Sequence, residues 1–125
     1  MGTFAASFNG RQLTALTELF NNFHVFMPEV DENTVIALFA CKLKTPLVVR
    51  NARTLCFIFH TLSEEFLISP YWQAVAERYA CFVSLKGKPI SRNTLSSATY
   101  CAVTMGTVAT SSLITYYISI LKTTK

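Results

Sequence analysis

Charge is scarce in this chain of 125 residues. Only 14% of its side chains are charged, against roughly a quarter in an average domain. Intrinsic disorder requires the reverse, many charges and few hydrophobes, so that class is excluded. Glycine and proline number four each, too few for a collagen-like or low-complexity chain. Histidine occurs twice, at positions 24 and 60, and no Gly-rich phosphate loop, C-x-x-C pair or H-E-x-x-H helix is present. Zinc and nucleotide motifs are therefore missing, and no metal, cofactor or small-molecule substrate is expected. No N-x-[ST] sequon occurs, and the first residues lack the basic and apolar regions of a secretory signal. Met1-Gly2 opens as an acylation signal does, but Ala6 stands where that signal needs Ser or Thr.

Acid is missing from the whole of the last part. Residues 1–77 hold seven acids and five bases, net −2, whereas 78–125 hold six bases and no acid. An asymmetry of this kind suits contact with an anionic partner. What the chain has in abundance is apolar surface: 51% hydrophobic residues, including ten phenylalanines. The length fits a single domain over 1–125. The four cysteines, Cys41, Cys56, Cys81 and Cys101, each sit in an apolar stretch rather than punctuating turns. They read as reduced thiols of an intracellular, cytoplasmic protein.

Helical periodicity dominates. Residues 1–9, with Phe4 and Phe8, form a flexible arm that must dock to become ordered. Leu13, Leu16, Phe20, Phe23 and Met27 recur at steps of three and four, which predicts a helix ending before Pro28. Glu29, Asp31 and Glu32 suit the start of a second helix burying Ile36, Phe39, Ala40 and Leu43. Thr45-Pro46 and Ser69-Pro70 each pair a capping hydroxyl with proline at a first helical position. They predict a third helix to about Phe66, burying Val48, Ala52, Leu55, Phe59 and Leu62. The fourth carries Trp72, Val75, Ala76, Tyr79, Phe82 and Val83, and stops at Gly87 and Pro89.

Residues 93–121 then run for 29 positions without a charge or a histidine, sixteen of them apolar and eleven Ser or Thr. Ala98, Ala102, Gly106 and Thr110 recur at four-residue steps, a small-residue stripe that lets helix backbones approach closely. The expectation is a buried helix, or two helices broken near Gly106. A membrane anchor over 95–121 is the alternative, which would make the protein membrane-associated, and a strand over Val103–Ile120 is the third reading. The predicted fold is an all-α bundle of five or six helices.

The nearest approach to a catalytic constellation is Cys56, His60 and Glu64, at i, i+4 and i+8 of one helix. A thiol nucleophile also needs an oxyanion hole, for which no Gly-rich turn is available, so no catalytic residue is assigned. Basic residues gather at two helix junctions: Lys42, Lys44, Arg50 and Arg53, then Arg78, Lys86, Lys88 and Arg92. If the junctions share one end of the bundle, they make a patch suited to phosphates, with Tyr71 and Trp72 as stacking partners for bases. The strings Arg53-Thr54-Leu55-Cys56, Pro70-Tyr71-Trp72-Gln73-Ala74 and Arg78-Tyr79-Ala80-Cys81-Phe82 resemble the helical core of flexible filamentous plant-virus coat proteins. They are common helix residues and transfer no residue role. The functional expectation is a non-enzymatic protein that self-associates or binds a partner helix, as a coat- or nucleocapsid-like structural subunit would, with RNA at the basic junctions. The alternative is a small C-terminally membrane-anchored regulator.

Overall fold

A computed structural model describes residues 3–104 and 111–123. In order along the chain these form α1 (Gly10–Asn22), α2 (Glu32–Phe39), β1 (Leu47–Val48), α3 (Ala52–Glu64), α4 (Trp72–Arg78), β2 (Phe82–Val83), α5 (Arg92–Thr104) and α6 (Ser111–Thr123). Apart from one two-residue strand pair the architecture is all-α, a bundle of six helices among the described residues.

Phe59, fully buried on α3, organises the interior. Five aromatic rings surround it at centroid distances of 5.2–6.2 Å: Phe4 of the arm, Phe20 of α1, Phe39 of α2, Trp72 of α4 and Phe82 of β2. Each comes from a different element, so the cluster ties the first two-thirds of the chain to one point. Aromatic pairs of this kind contribute about 0.5–1.5 kcal/mol beyond the area they bury. The arm is therefore docked on its own chain. Phe4 is wholly buried, its carbonyl accepts the Ser69 N–H at 2.6 Å, and Phe8 packs edge-on against Phe39 at 5.1 Å.

Side-chain caps fix where the helices begin. Asn9 and Gln12 form a reciprocal capping box at α1, Asp31 accepts from the Thr34 N–H at α2, and Asn51 accepts from Thr54 at α3. Asn21 clamps the segment after α1 by exchanging two hydrogen bonds with the Val30 backbone. The capping signals at Thr45-Pro46 and Ser69-Pro70 are not used as expected. Thr45-Pro46 leads into β1, and α3 starts seven residues later behind Asn51. α4 starts at Trp72, behind Tyr71.

Several helix boundaries fall earlier than the periodicity implies. α1 stops at Asn22 because His24 adopts a left-handed conformation (φ 53°) that turns the chain. Phe26 then bridges Val49, and Met27 is exposed. α2 is rotated by about one residue from the expected face: Val35, Leu38 and Phe39 are buried, while Ile36 and Ala40 face solvent and Leu43 lies beyond the helix. α4 ends at Arg78, before Ala80 reverses the backbone (φ 49°), so Phe82 and Val83 belong to a strand and Tyr79 is exposed.

β1 and β2 pair in parallel, Leu47 with Phe82 and Val48 with Val83. Phe26 adds an antiparallel bridge on the outer side of β1, and Pro89 one on the outer side of β2. Four short chain segments thus lie side by side beneath the helices.

Among its described residues the uncharged run holds two helices, α5 and α6. α5 packs chiefly on α3 and also on α4, whereas α6 packs on α3 and α1. The Cys56 thiol meets the Leu95 carbonyl, and Glu65, only nine residues further along α3, pairs with Lys122 at 3.0 Å. Ala102 is buried and Ala98 half-buried on α5; Gly106 and Thr110 lie outside the described residues. The described parts of 103–120 are helical, which excludes a strand there. Among the described residues, no helix is long and apolar enough to cross a membrane.

Candidate functional site

The residues with catalytic potential do not assemble. Cys56 is fully buried and donates its thiol to the Leu95 carbonyl at 3.6 Å. Burial pushes that thiol up to about 11, only partly offset by the Thr99 hydroxyl. A nucleophilic cysteine needs the opposite shift. His60 lies beside Glu64 at 3.7 Å, on the partly exposed side of the helix. Cys81 is likewise buried and pushed up to about 12, by desolvation and then by the neighbouring Cys41. Burial also raises Cys41, whose sulfur meets the backbone of Phe4. None of the four cysteines is in a disulfide. No group of three or more His, Cys, Asp or Glu among the described residues could hold a metal ion.

The eight basic residues of the helix junctions are all exposed, and none of them makes an ion pair among the described residues. The fold regroups them. Both strands of a parallel pair leave the sheet at the same end, so β1 and β2 each deliver two cations there. β1 continues through Val49, whose N–H donates to the Val83 carbonyl at 2.9 Å, into Arg50 and then Arg53 in the first turn of α3. β2 continues into a tight turn. The Ser84 carbonyl accepts from the Gly87 N–H, the Ser84 N–H donates to the Lys88 carbonyl, and the Ser84 hydroxyl accepts from the N–H groups of Lys86 and Lys88. Gly87 sits at φ 80°, where a side chain would be strained. Lys86 and Lys88 are thereby held at the tip, with Leu85 exposed beside them.

The other four cations lie towards the opposite end and share it with acids. Lys42 and Lys44 line an open cleft of about 440 Å³ together with Glu29 and Asp31. The Thr34 hydroxyl and N–H hold the Asp31 carboxyl below its ordinary range. Arg92 donates its backbone N–H to the Glu77 carboxylate at 2.8 Å, and Arg78 lies over the Tyr79 ring at 5.9 Å. The expected stacking pair divides, because Tyr71 is exposed while Trp72 is buried against Phe59.

A second surface feature lies on α6. Ile114, Ile118 and Leu121 are buried on one side. On the other, Leu113, Tyr116 and Ile120 recur at three and four residues with 49%, 65% and 46% of their surface exposed. Ser112, Thr115, Ser119 and Lys122 form the polar stripe of α6, so these three residues widen its apolar face beyond the part that the core covers. The sequence marked this segment as uncharged, but only the packing separates its two faces.

No protein-family model, no curated protein and no solved structure matches this chain.

Proposed function

We propose that this protein is a non-enzymatic structural subunit that associates with further copies of itself through α6. The observation that carries the reading is the apolar stripe Leu113, Tyr116 and Ile120, half-exposed on a helix whose other side is core. The occupant is a second copy on charge grounds. The chain carries a net charge of +4, and an uncharged surface brings no like charges of two copies into direct contact. The α6 stripe is such a surface. A foreign charged partner would find no counter-ion there.

Magnitude limits the strength of this contact. Completing the burial of a half-exposed large side chain yields about 1 kcal/mol. Three residues from each of two copies therefore give about 6 kcal/mol. Association itself costs at least about 4 kcal/mol. The expected assembly is thus weak and concentration-dependent, not an obligate oligomer.

Sedimentation equilibrium at up to about 5 mM, as a net gain of a few kcal/mol requires, should show mass-average values rising above 14.0 kDa. The variant Leu113→Ser/Ile120→Ser, altered only at exposed positions, should remain at the monomer mass. A strict monomer throughout that range refutes the reading.

A further inference from the structure

We infer that the end of the sheet carrying Arg50, Arg53, Lys86 and Lys88 is a binding surface for the phosphodiester backbone of nucleic acid. This is independent of self-association, since none of the four residues lies on α5 or α6.

Three observations converge. The parallel pairing of β1 and β2 brings two cations from each strand to one end, although the pairs are more than thirty positions apart in sequence. The chain segments that form this end, residues 23–25, 49–54 and 84–89, contain no acid, and His24 is their only other titratable side chain. The backbone presenting Lys86 and Lys88 is fixed by four hydrogen bonds, so little backbone order remains to be imposed on binding. At the opposite end the cations sit among Glu29, Asp31 and Glu77, which would repel the same ligand.

The chemistry favours a polyanion over a bilayer. Guanidinium groups match phosphate oxygens bidentately and lysines add mobile point charges. A membrane-surface site would need an apolar face to insert, and Leu85 is the one large exposed apolar side chain in these segments. Stacking platforms are absent from the same segments, whose single aromatic, Phe23, packs against Tyr117. Binding is therefore carried by the backbone and indifferent to base sequence.

The test is salt dependence, measured by fluorescence anisotropy with a labelled 30-nucleotide RNA of mixed sequence. Each phosphate neutralised on a single strand contributes about −0.7 to the slope of log affinity against log salt. Four cations give a slope of about −2.8, an affinity loss of about 50-fold between 50 and 200 mM salt. Lys86→Gln/Lys88→Gln should halve the slope, reducing that loss to about 7-fold, and Arg50→Gln/Arg53→Gln should do the same. Lys42→Gln/Lys44→Gln should leave it at about 50-fold. Equal effects from both ends would overturn the assignment, as would absence of RNA binding at 50 mM salt. Binding to phosphatidylserine vesicles in place of RNA would assign the surface to a membrane and overturn it equally. Unchanged far-ultraviolet circular dichroism of the variants excludes unfolding as the cause.

Discussion

Removing the Phe4 side chain tests whether the arm belongs to the fold. Phe4 is fully buried, with edge-on contacts to Phe39 and Phe59 at 5.8 Å each. Replacing a core phenylalanine by alanine costs about 3–5 kcal/mol, the lost transfer energy plus the cavity left behind. The two ring pairs place Phe4→Ala in the upper part of that range, at about 4 kcal/mol. A domain of this size has about 5–15 kcal/mol in all, so the variant should lose a quarter or more of its stability. Phe8→Ala is the internal comparison. Phe8 is half-buried and makes one ring contact, with Phe39 at 5.1 Å, so its loss should cost about 1–2 kcal/mol. Urea denaturation read by fluorescence suits both variants, because the single tryptophan, Trp72, packs 5.2 Å from Phe59 inside the affected cluster. If Phe4→Ala unfolds within 0.5 kcal/mol of the parent, the arm is undocked in solution and the ring cluster around Phe59 lacks its first member.

Three further outcomes follow from individual contacts. Gln12 is buried and donates to the Leu121 carbonyl across the α1–α6 interface while closing the α1 capping box; Gln12→Met keeps the volume, should cost about 1–3 kcal/mol, and should speed amide exchange in α6, whereas unchanged exchange refutes the role. Cys56 holds its proton to about pH 11 in the folded chain but releases it near its ordinary value of 9.0 when unfolded, so the unfolded state binds fewer protons in that window. Stability should fall as pH rises from about 9 to 11, with this thiol contributing about −1.4 kcal/mol per pH unit; urea midpoints that fall as steeply for Cys56→Ala as for the parent would contradict this. In the native protein at pH 8, a thiol reagent should modify the half-buried Cys41 and Cys101 well before Cys56 and Cys81, and four equal rates would refute the packing.

Long helices were legible in the sequence and short strands were not, for a physical reason. Leu16 and Phe20 on α1, and Leu55, Phe59 and Leu62 on α3, follow the three-and-four spacing within helices of 13 residues each, and all are buried. Leu47-Val48 and Phe82-Val83 show no period at all, since two residues cannot, and their pairing depends on contacts far apart in sequence. Positive-φ residues set boundaries that periodicity overran: His24 after α1 and Ala80 after α4 carry no glycine to announce them. The eight bases of the helix junctions were legible as a composition. Their division was not, because grouping by helix junction puts Lys42 with Arg50 and Arg78 with Lys88, and only the strand pairing regroups them by end. The uncharged C-terminal run was visible as such, whereas its division into a face on α3 and α1 and a face in solvent required the packing of α6.

The two proposed surfaces make opposite electrostatic demands, and that links them. A net charge of +4 opposes the approach of two copies, while nucleic acid at the basic end of the sheet would remove much of that charge. The repulsion acts over about 8 Å at physiological ionic strength and further in dilute salt, so neutralisation should strengthen contact through α6. A hexanucleotide isolates this effect, being too short to hold two copies side by side. Saturating hexanucleotide at 50 mM salt should move the rise in mass to lower protein concentration, and 500 mM salt should remove the difference. Linkage requires the converse: at protein concentrations where the parent associates, Leu113→Ser/Ile120→Ser should weaken binding to the hexanucleotide, and to a long RNA as well, whereas in dilute protein the hexanucleotide affinities should agree. A hexanucleotide that leaves the mass curve in place would show that the two surfaces act without coupling, and the charge argument for a second copy at α6 would fall with it.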